Sequence, residues 1–267
     1  MPKPVRRRFT WRVFAAIVAL LLLSVTAGMA MRRVQTLLLS SERFVLDASF
    51  VATGAGPEAG APGIRVEGNR YTPRDRILGV FAADFNKSIF RIPLAERRRH
   101  LLAIDWVEDA SVMRILPNQL IVRVRERKPV AFAKLPIGIA GQYRYLLIDG
   151  EGVLLSVPKQ HFDFPVLAGV TEEQTDAERR TRVAAMQDLL HEIGPAASSV
   201  SGVNAESPFD LRVAAKMGGR QLELWLGEKN YQARFQNFAD HFDEIVRQSD
   251  GASVFDLRLD GRVLTVR

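Results

Sequence analysis

An uncharged apolar run from Val13 to Met31 constrains the fold of this chain more than any other feature. The run is about 19 residues long, close to the ~20 that a helix needs to cross a hydrocarbon core of roughly 30 Å. Five basic residues precede the run, and only Arg32 and Arg33 follow it closely. Because positive charge accumulates on the cytoplasmic side of a membrane, the pattern predicts a cytoplasmic basic tail over residues 1–12, a transmembrane helix over 13–33 and an exported remainder.

A cleaved signal peptide is the alternative interpretation of the same run, since Gly28-Met29-Ala30 offers small residues where a signal peptidase cuts. The apolar run is longer than the ~7–15 residues usual for a signal-peptide core. The paired arginines after it also suit the anchoring of a helix end. A retained helix is therefore favoured, and either interpretation exports the bulk of the chain.

Residues 34–62 are predicted to be a linker, because the stretch from Gly54 to Gly63 is rich in Gly, Ala and Pro. The alternative is an insertion within the domain that follows. The pattern leaves open whether the first strand of that domain lies near Phe44, near Ile64 or is divided between them. We favour Ile64.

A β-hairpin is predicted around the turn Pro117-Asn118. Leu120, Val122 and Val124 alternate there with charged residues, which is the period of a half-buried strand. Proline fixes φ and asparagine tolerates left-handed geometry, so the chain can fold back at this point. Upstream, a strand at Gly63–Asn69 and two short helices give the order strand, helix, helix, strand, strand.

The second half of the chain predicts a larger mixed β-sheet covered by helices. A hairpin over Tyr143–Leu155 turns at Asp149-Gly150, and a capping box at Thr175 begins a helix that ends before Gly194. An aromatic stripe predicts a second helix over 231–247 that covers the sheet. The residues 254–267 alternate as a last strand. The fold class is therefore α+β.

Composition and motifs give no support to enzymatic or nucleic-acid-binding functions. The net charge is +7 over 267 residues, but arginine is spread along the chain and forms no single stripe. Cysteine is absent, which excludes disulfides and thiol chemistry. The four histidines have no metal-ligand spacing, and nucleophile elbows and phosphate-binding loops are missing. We therefore expect no catalytic residue, no cofactor or metal and no small-molecule substrate, and we assign Asp149 and Glu151 to turn chemistry.

The segments Ile64–Asn69, Trp106–Val112 and Leu120–Ala131 together resemble a POTRA domain. The closing Glu126-Arg127-Lys128-Pro129-Val130-Ala131 is typical of the POTRA domain of the bacterial cell-division family FtsQ/DivIB. The resemblance implies a POTRA domain over 63–132 and an FtsQ-type β domain over 133–267. It further implies a non-enzymatic scaffold at the septal inner membrane, which holds the coiled-coil proteins FtsB and FtsL and through them regulates wall synthesis.

The last strand resembles the part of the FtsQ β domain where family members bind these partners. An edge strand presents unpaired N–H and C=O groups, which a partner strand can satisfy. The resemblance thus implies a partner-binding site, for which we select five residues: Arg258, Leu259, Asp260, Val263 and Thr265. Phe255 and Leu257 are assigned to the core.

The basic run Arg97, Arg98 and Arg99 is a possible second interface, because clustered cations can dock an acidic partner or anionic headgroups. The alternative is the solvated face of a helix. An alternative function also stays open, in which the POTRA unit belongs to an export or outer-membrane assembly accessory factor that binds client strands by β-augmentation. The single copy of the unit and the lack of barrel strands argue against it.

Overall fold

The computed structural model describes residues 9–46, 63–138, 141–249, 251–259 and 261–266. The chain divides into two compact units. The first comprises residues 1–103 with 109–125, and the second comprises 104–108 with 126–267.

The predicted membrane helix is present as α1, Phe9–Ser40. Its portion Val13–Thr36 is long and apolar enough to cross a membrane. Leu20 and Leu23 are about 70% exposed, at 71% and 69%, as lipid-facing side chains must be in a protein without its bilayer. The polar Ser24 and Thr26 donate their hydroxyls to carbonyl groups three residues earlier in the helix, which satisfies them in an apolar surrounding.

The chain after α1 folds onto the first unit almost at once. Residues 42–44 form a 3₁₀ turn, Val45 makes an isolated antiparallel bridge with Ser88, and Leu46 is fully buried. Of the predicted linker 34–62, residues 34–46 are therefore helix followed by a packed segment. Residues 47–62 lie outside the described part of the chain.

The first unit confirms the predicted order of strand, helix, helix, strand, strand. Its main elements are β1 Gly63–Glu67, α2 Arg74–Gly79, α3 Leu94–Leu102, β2 Val107–Ile115 and β3 Gln119–Glu126. In the sheet order β1-β3-β2, β3 is central and β1 runs parallel to it. Leu120 and Val122 are fully buried and Val124 nearly so, which confirms the alternation that predicts a half-buried strand. The first strand begins at Gly63, next to the favoured Ile64.

The second unit is built on one long mixed sheet. Its strands are β4 Pro129–Pro136, β5 Tyr143–Asp149, β6 Leu154–Leu155, β7 Val166–Ala168, β8 Val200–Asn204, β9 Leu211–Met217, β10 Arg220–Gly227, β11 Val254–Asp256 and β12 Leu264–Thr265. Within the described residues the order is β12-β11-β10-β9-β8-β7-β4-β5-β6. β10 and β11, β4 and β7, and β7 and β8 pair in parallel, whereas the other neighbours are antiparallel.

The helix α4, Asp176–Ile193, begins at the predicted capping box. The Thr175 backbone N–H donates to the Glu178 carboxylate at 2.7 Å, and the Glu178 N–H donates to the Thr175 hydroxyl at 3.3 Å. These bonds satisfy two of the helix's first amides. Val183, Met186 and Ile193 from this helix join the core of the second unit.

The helix predicted over 231–247 is two helices, α5 Tyr231–Asp240 and α6 Phe242–Gln248. The prediction of one continuous helix was wrong because the backbone leaves the helical region at His241, with φ −110°. Phe242 then packs edge-on to Phe238, with ring centroids 6.1 Å apart. Tyr231, Phe235 and Phe238 are buried in the same core, which confirms that this stripe covers the sheet.

Candidate functional site

One border of the long sheet is formed by the last described residues of the chain. We call the segment from β11 through β12, with the described residues between them, the C-terminal edge. β11 pairs in parallel with β10, and β12 pairs with β11 so that Phe255 faces Thr265 and Asp256 faces Leu264. β12 is the last strand in the sheet order and is only two residues long. A strand in this position presents backbone groups to which a further strand can pair.

The predicted continuous strand over 254–267 is interrupted. β11 ends at Asp256 because the Asp256 carboxylate accepts the Arg258 backbone N–H at 3.0 Å. A side chain that captures the amide two residues later bends the chain into a turn. The predicted alternation holds for Phe255 and Leu257, which are 0% and 4% exposed, but not for Leu259, which is 52% exposed. Leu259 is therefore a surface residue.

Arg258 fixes the position of this bend. Its guanidinium donates to Asp256 at 2.9 and 2.7 Å and reaches Asp210 at 3.3 Å. It also lies 5.0 Å from the ring centroid of Trp225 on β10. The hydrogen bonds from Arg258 lower the pKa of Asp256, and Asp256 in turn raises the pKa of Arg258. Arg258 thus ties the C-terminal edge to two neighbouring segments of the second unit.

A groove of about 460 Å³ lies between the C-terminal edge and α5. Its lining comprises Asn230, Ala233, Arg234, Asn237, Leu257, Leu259, Gly261, Arg262 and Val263. Val263 also packs against the core, whereas Leu259 borders the groove and is half exposed. The described lining contains two arginines and no carboxylate, so the groove suits an apolar segment that carries an acidic side chain.

Gly227 allows Arg234 and Arg258 to approach the end of β10. Its φ is +77°, and a Cβ there would lie 3.1 Å from Arg234 Nη1 and 3.3 Å from Arg258 Cγ. Arg234 itself donates to the Leu226 carbonyl at 2.6 Å. Any larger residue at Gly227 would therefore be strained by its backbone and would crowd both arginines.

The structure brings four of the five predicted partner-binding residues together at the C-terminal edge. Arg258 and Leu259 lie in the bend, Val263 lines the groove, and Thr265 is exposed on β12. Asp260 lies outside the described residues. The groove wall supplied by α5 and its N-cap Asn230 is not predicted from the sequence, although Asn230, Ala233, Arg234 and Asn237 follow the i, i+3, i+4, i+7 spacing of one helix face.

The basic run on α3 is divided between two uses. Arg97 is only 12% exposed and forms a two-point ion pair with the buried Asp84, at 2.5 and 3.0 Å. Arg98 donates to the Ala110 carbonyl at 2.7 Å and to Asp109 at 2.8 Å. Arg97 therefore stabilises the fold of the first unit, and Arg99 is exposed.

The carboxylate of Asp149 has the role in the turn that the sequence predicts. It accepts the backbone N–H groups of Glu151 and Val153 at 3.0 and 2.8 Å and pairs with Arg127 at 2.9 Å. Among the described residues, no group of three or more His, Cys, Asp or Glu side chains is placed to hold a metal ion.

Comparison with known proteins relates both units to one family. A model described as POTRA domain, FtsQ-type, matches residues 63–127, and one described as cell division protein FtsQ/DivIB, C-terminal, matches residues 139–258. The second match ends at Arg258, so the other four predicted partner-binding residues, Leu259, Asp260, Val263 and Thr265, lie beyond it.

Curated relatives carry the same description, cell division protein FtsQ. The chain is 35% identical to the one from Koribacter versatilis over 75% of this chain and 58% of that protein. It is 32% identical to the one from Syntrophotalea carbinolica over 41% and 37%, and 23% identical to the one from Geotalea daltonii over 75% and 73%. The matched part thus spans less than two thirds of the length of the first two relatives.

Proposed function

Because this chain belongs to the FtsQ/DivIB family of cell-division proteins, we propose that it is a non-enzymatic scaffold of the bacterial divisome. It recruits FtsB- and FtsL-type partners and links them to septal wall synthesis. The observation that carries this proposal is that β12 is the last strand of the long sheet within the described residues, next to the groove that Leu259 and Val263 line. Both matching family models describe division proteins, which favours this function over an export or outer-membrane assembly factor.

Partner capture at the C-terminal edge proceeds by addition of a strand. A partner strand pairs with β12 and satisfies backbone groups that otherwise face water. The exposed Leu264 and Thr265 lie on this strand, so the partner's side chains meet theirs on the two faces. The short β12 alone offers few hydrogen bonds, and the groove beside it therefore has to supply additional contact area.

The groove gives the recruitment its selectivity. Leu259 is 52% exposed and loses this exposed apolar surface when a partner side chain covers it. Arg234 and Arg262 favour a partner with carboxylates at the matching positions and disfavour basic segments. Arg258 acts on this site through the bend, because its bonds to Asp256 and Asp210 fix where Leu259 lies.

The membrane placement follows from α1 and its flanking charges. One span anchors the protein in the inner membrane, with the basic N-terminal tail in the cytoplasm, both units in the periplasm and the protein concentrated at the division septum. The charge bias, five basic residues before the apolar run against Arg32 and Arg33 after it, supports this orientation.

Localisation of a fluorescent fusion in dividing cells tests the proposal. We expect the full chain to collect at midcell and to bring an FtsB-type partner with it. A chain that ends after Val263 lacks residues 264–267, which include the edge strand β12, and should reach midcell without the partner. A full chain spread evenly round the envelope at every stage of the cell cycle would overturn the divisome assignment.

A further inference from the structure

The segment Glu42–Leu46, which we call the strap, connects α1 to the body of the first unit. Only Ser41 separates the end of α1 from the 3₁₀ turn over residues 42–44. Leu46 is fully buried, its N–H donates to the Lys87 carbonyl at 2.9 Å, and its carbonyl accepts the Asn86 N–H at 3.0 Å. The strap is thus fixed to the first unit by backbone bonds on both sides of a buried leucine.

Aromatic packing and a direct helix contact extend this attachment. Phe44 in the strap packs edge-on against Phe90, with ring centroids 5.3 Å apart. Phe90 belongs to the 3₁₀ turn Ile89–Arg91, which α1 itself contacts. Therefore the globular part of the first unit lies directly against the end of the apolar helix.

Helix geometry places the strap close to the membrane surface. A hydrocarbon core of roughly 30 Å takes up about 20 residues from Val13 at 1.5 Å each, which reaches Arg32. The remaining turns of α1 to Ser40 add about 12 Å. The polar headgroup region extends roughly 5–8 Å beyond the hydrocarbon on each side. The strap therefore begins within a few ångströms of the headgroups, and a tilted helix would bring it closer.

The surface at this end of the first unit is basic. Arg43, Lys87 and Arg91 are exposed, as are Arg32 and Arg33 on α1. Glu42 is the only carboxylate in residues 31–46 and 85–93 of the sequence. Cations this close to a membrane are attracted by its anionic lipids.

We propose that the strap holds the first unit on the membrane surface, with Arg43, Lys87 and Arg91 against the phosphates of anionic lipid headgroups. The inference rests on the membrane anchoring of the proposed function, but not on any partner. The unit is then presented to other proteins in a fixed orientation, with its strap end on the lipid. One end of β2 lies beside the strap, because Arg114 bonds to the Ile89 and Ile92 carbonyls there. The far part of α3 lies near the other end of β2, because Arg98 bonds to the Ala110 carbonyl, about 16 Å along the strand from Ile115. This part of α3 therefore faces away from the membrane.

Site-specific fluorescence quenching tests the lipid contact on the full chain. The sequence has no cysteine, so Pro93→Cys near the strap and His100→Cys at the far end of α3 each accept a single label at an exposed position. The protein is reconstituted in phosphatidylcholine vesicles with phosphatidylglycerol and with a headgroup spin label as quencher. We expect strong quenching at position 93 and little at position 100. Equal quenching at both positions would overturn the proposal.

Charge reversal and lipid composition test the role of the cations. Arg91→Glu should reduce the quenching at position 93, as should vesicles of phosphatidylcholine alone. Arg99→Glu makes the same charge change at an exposed site on the far part of α3 and should leave the quenching unchanged. If quenching at position 93 is unchanged both by Arg91→Glu and by the omission of phosphatidylglycerol, the result contradicts binding of anionic headgroups.

A cysteine pair tests the strap itself. Val45→Cys with Ser88→Cys joins directly bridged residues, which lie within the span of a disulfide, and should cross-link on oxidation in the membrane. Val45→Cys with His100→Cys is the control that should not. A failure of the first pair to cross-link would contradict the attachment of the strap to the segment around Ser88. Flotation of the protein with vesicles in high salt tests anchoring separately, so a failed anchor is distinguishable from a failed lipid contact.

Discussion

Two ion pairs, Arg97 with Asp84 and Arg258 with Asp256, each contain an arginine that the sequence places in a candidate interface. Arg258 belongs to the predicted partner-binding site, and Arg97 belongs to the possible second interface. In the first unit the side chains are 12% and 2% exposed, whereas in the second they are 40% and 13% exposed. Arg97 donates hydrogen bonds to Asp84 inside the fold, whereas Arg258 is partly exposed to solvent next to the groove. Burial, and not the presence of arginine, therefore separates a residue that holds a domain together from one that can influence a partner.

The largest expected effect is that of breaking the buried pair. Arg97→Met leaves the charged Asp84 buried without its cation, which costs about 3–5 kcal/mol. Urea unfolding of the full chain in detergent measures the change. Arg99 is exposed on the same helix, so Arg99→Met should change the free energy of unfolding by less than about 0.5 kcal/mol. Equal stabilities of the two variants would show that the pair at Asp84 is not the structural one.

Arg258→Ala should have a smaller effect on stability and a large one on partner capture. An ion pair this exposed contributes about 1 kcal/mol or less, but its loss frees the bend that positions Leu259. Arg258→Lys should not restore capture, because an ammonium group lacks the planar fork and the stacking surface that Trp225 meets. Retained capture by the alanine variant in a co-purification assay would show that the bend does not depend on Arg258.

A dependence on pH sharpens the same comparison. The pKa of Asp256 is lowered, chiefly by the hydrogen bonds from Arg258. A carboxylate whose folded pKa is below its unfolded value of ~3.9 stabilises the fold above that pH. The stabilisation is lost as the pH falls through the lowered value. The stability difference between the natural chain and Asp256→Asn should therefore be constant near neutral pH and disappear in strong acid, as unfolding curves at several pH values would reveal.

Leu259→Asp should have the smallest effect on the fold and a complete effect on recruitment. Leu259 is 52% exposed, so the substitution should change stability by less than about 0.5 kcal/mol. It puts a desolvated charge where a partner needs an apolar surface and should abolish pull-down of an FtsB-type protein. Val157→Asp, at a 44% exposed apolar residue outside the groove, is the matched control. Retained pull-down by Leu259→Asp would remove this residue from the site.

The sequence predicts local elements well because their causes are local. The alternation at Leu120, Val122 and Val124 and the capping box at Thr175 each lie within a few residues, and both are confirmed. The break at His241 and the bend at Asp256 were not predicted. The first lies where Phe242 packs edge-on against Phe238, and the second comes from a side-chain bond within a run whose alternating pattern predicts a strand.

Features that join distant parts of the chain were beyond the sequence pattern. Asp84 and Arg97 carry no periodic signal that marks them as a pair, so the sequence of the basic run predicts only a possible interface that includes Arg97. The α5 wall of the groove is not predicted for the same reason. Arg234 lies beside the C-terminal edge because of the tertiary fold, and no local sequence pattern marks that contact. The packing of the strap is also not predicted, because the Gly/Pro-rich segment that predicts a linker lies between Leu46 and Ser88 in the sequence.

The most direct test of the C-terminal edge is hydrogen–deuterium exchange of the full chain with and without an FtsB-type partner. Strand addition at β12 and occupation of the groove predict slower exchange of amides in residues 257–266 and at the groove-facing turns of α5. The backbone amides around the buried pair of Arg97 and Asp84 should exchange at the same rate with and without the partner. Protection confined to α3 or to other parts of the first unit, with the C-terminal edge exchanging as before, would contradict the account.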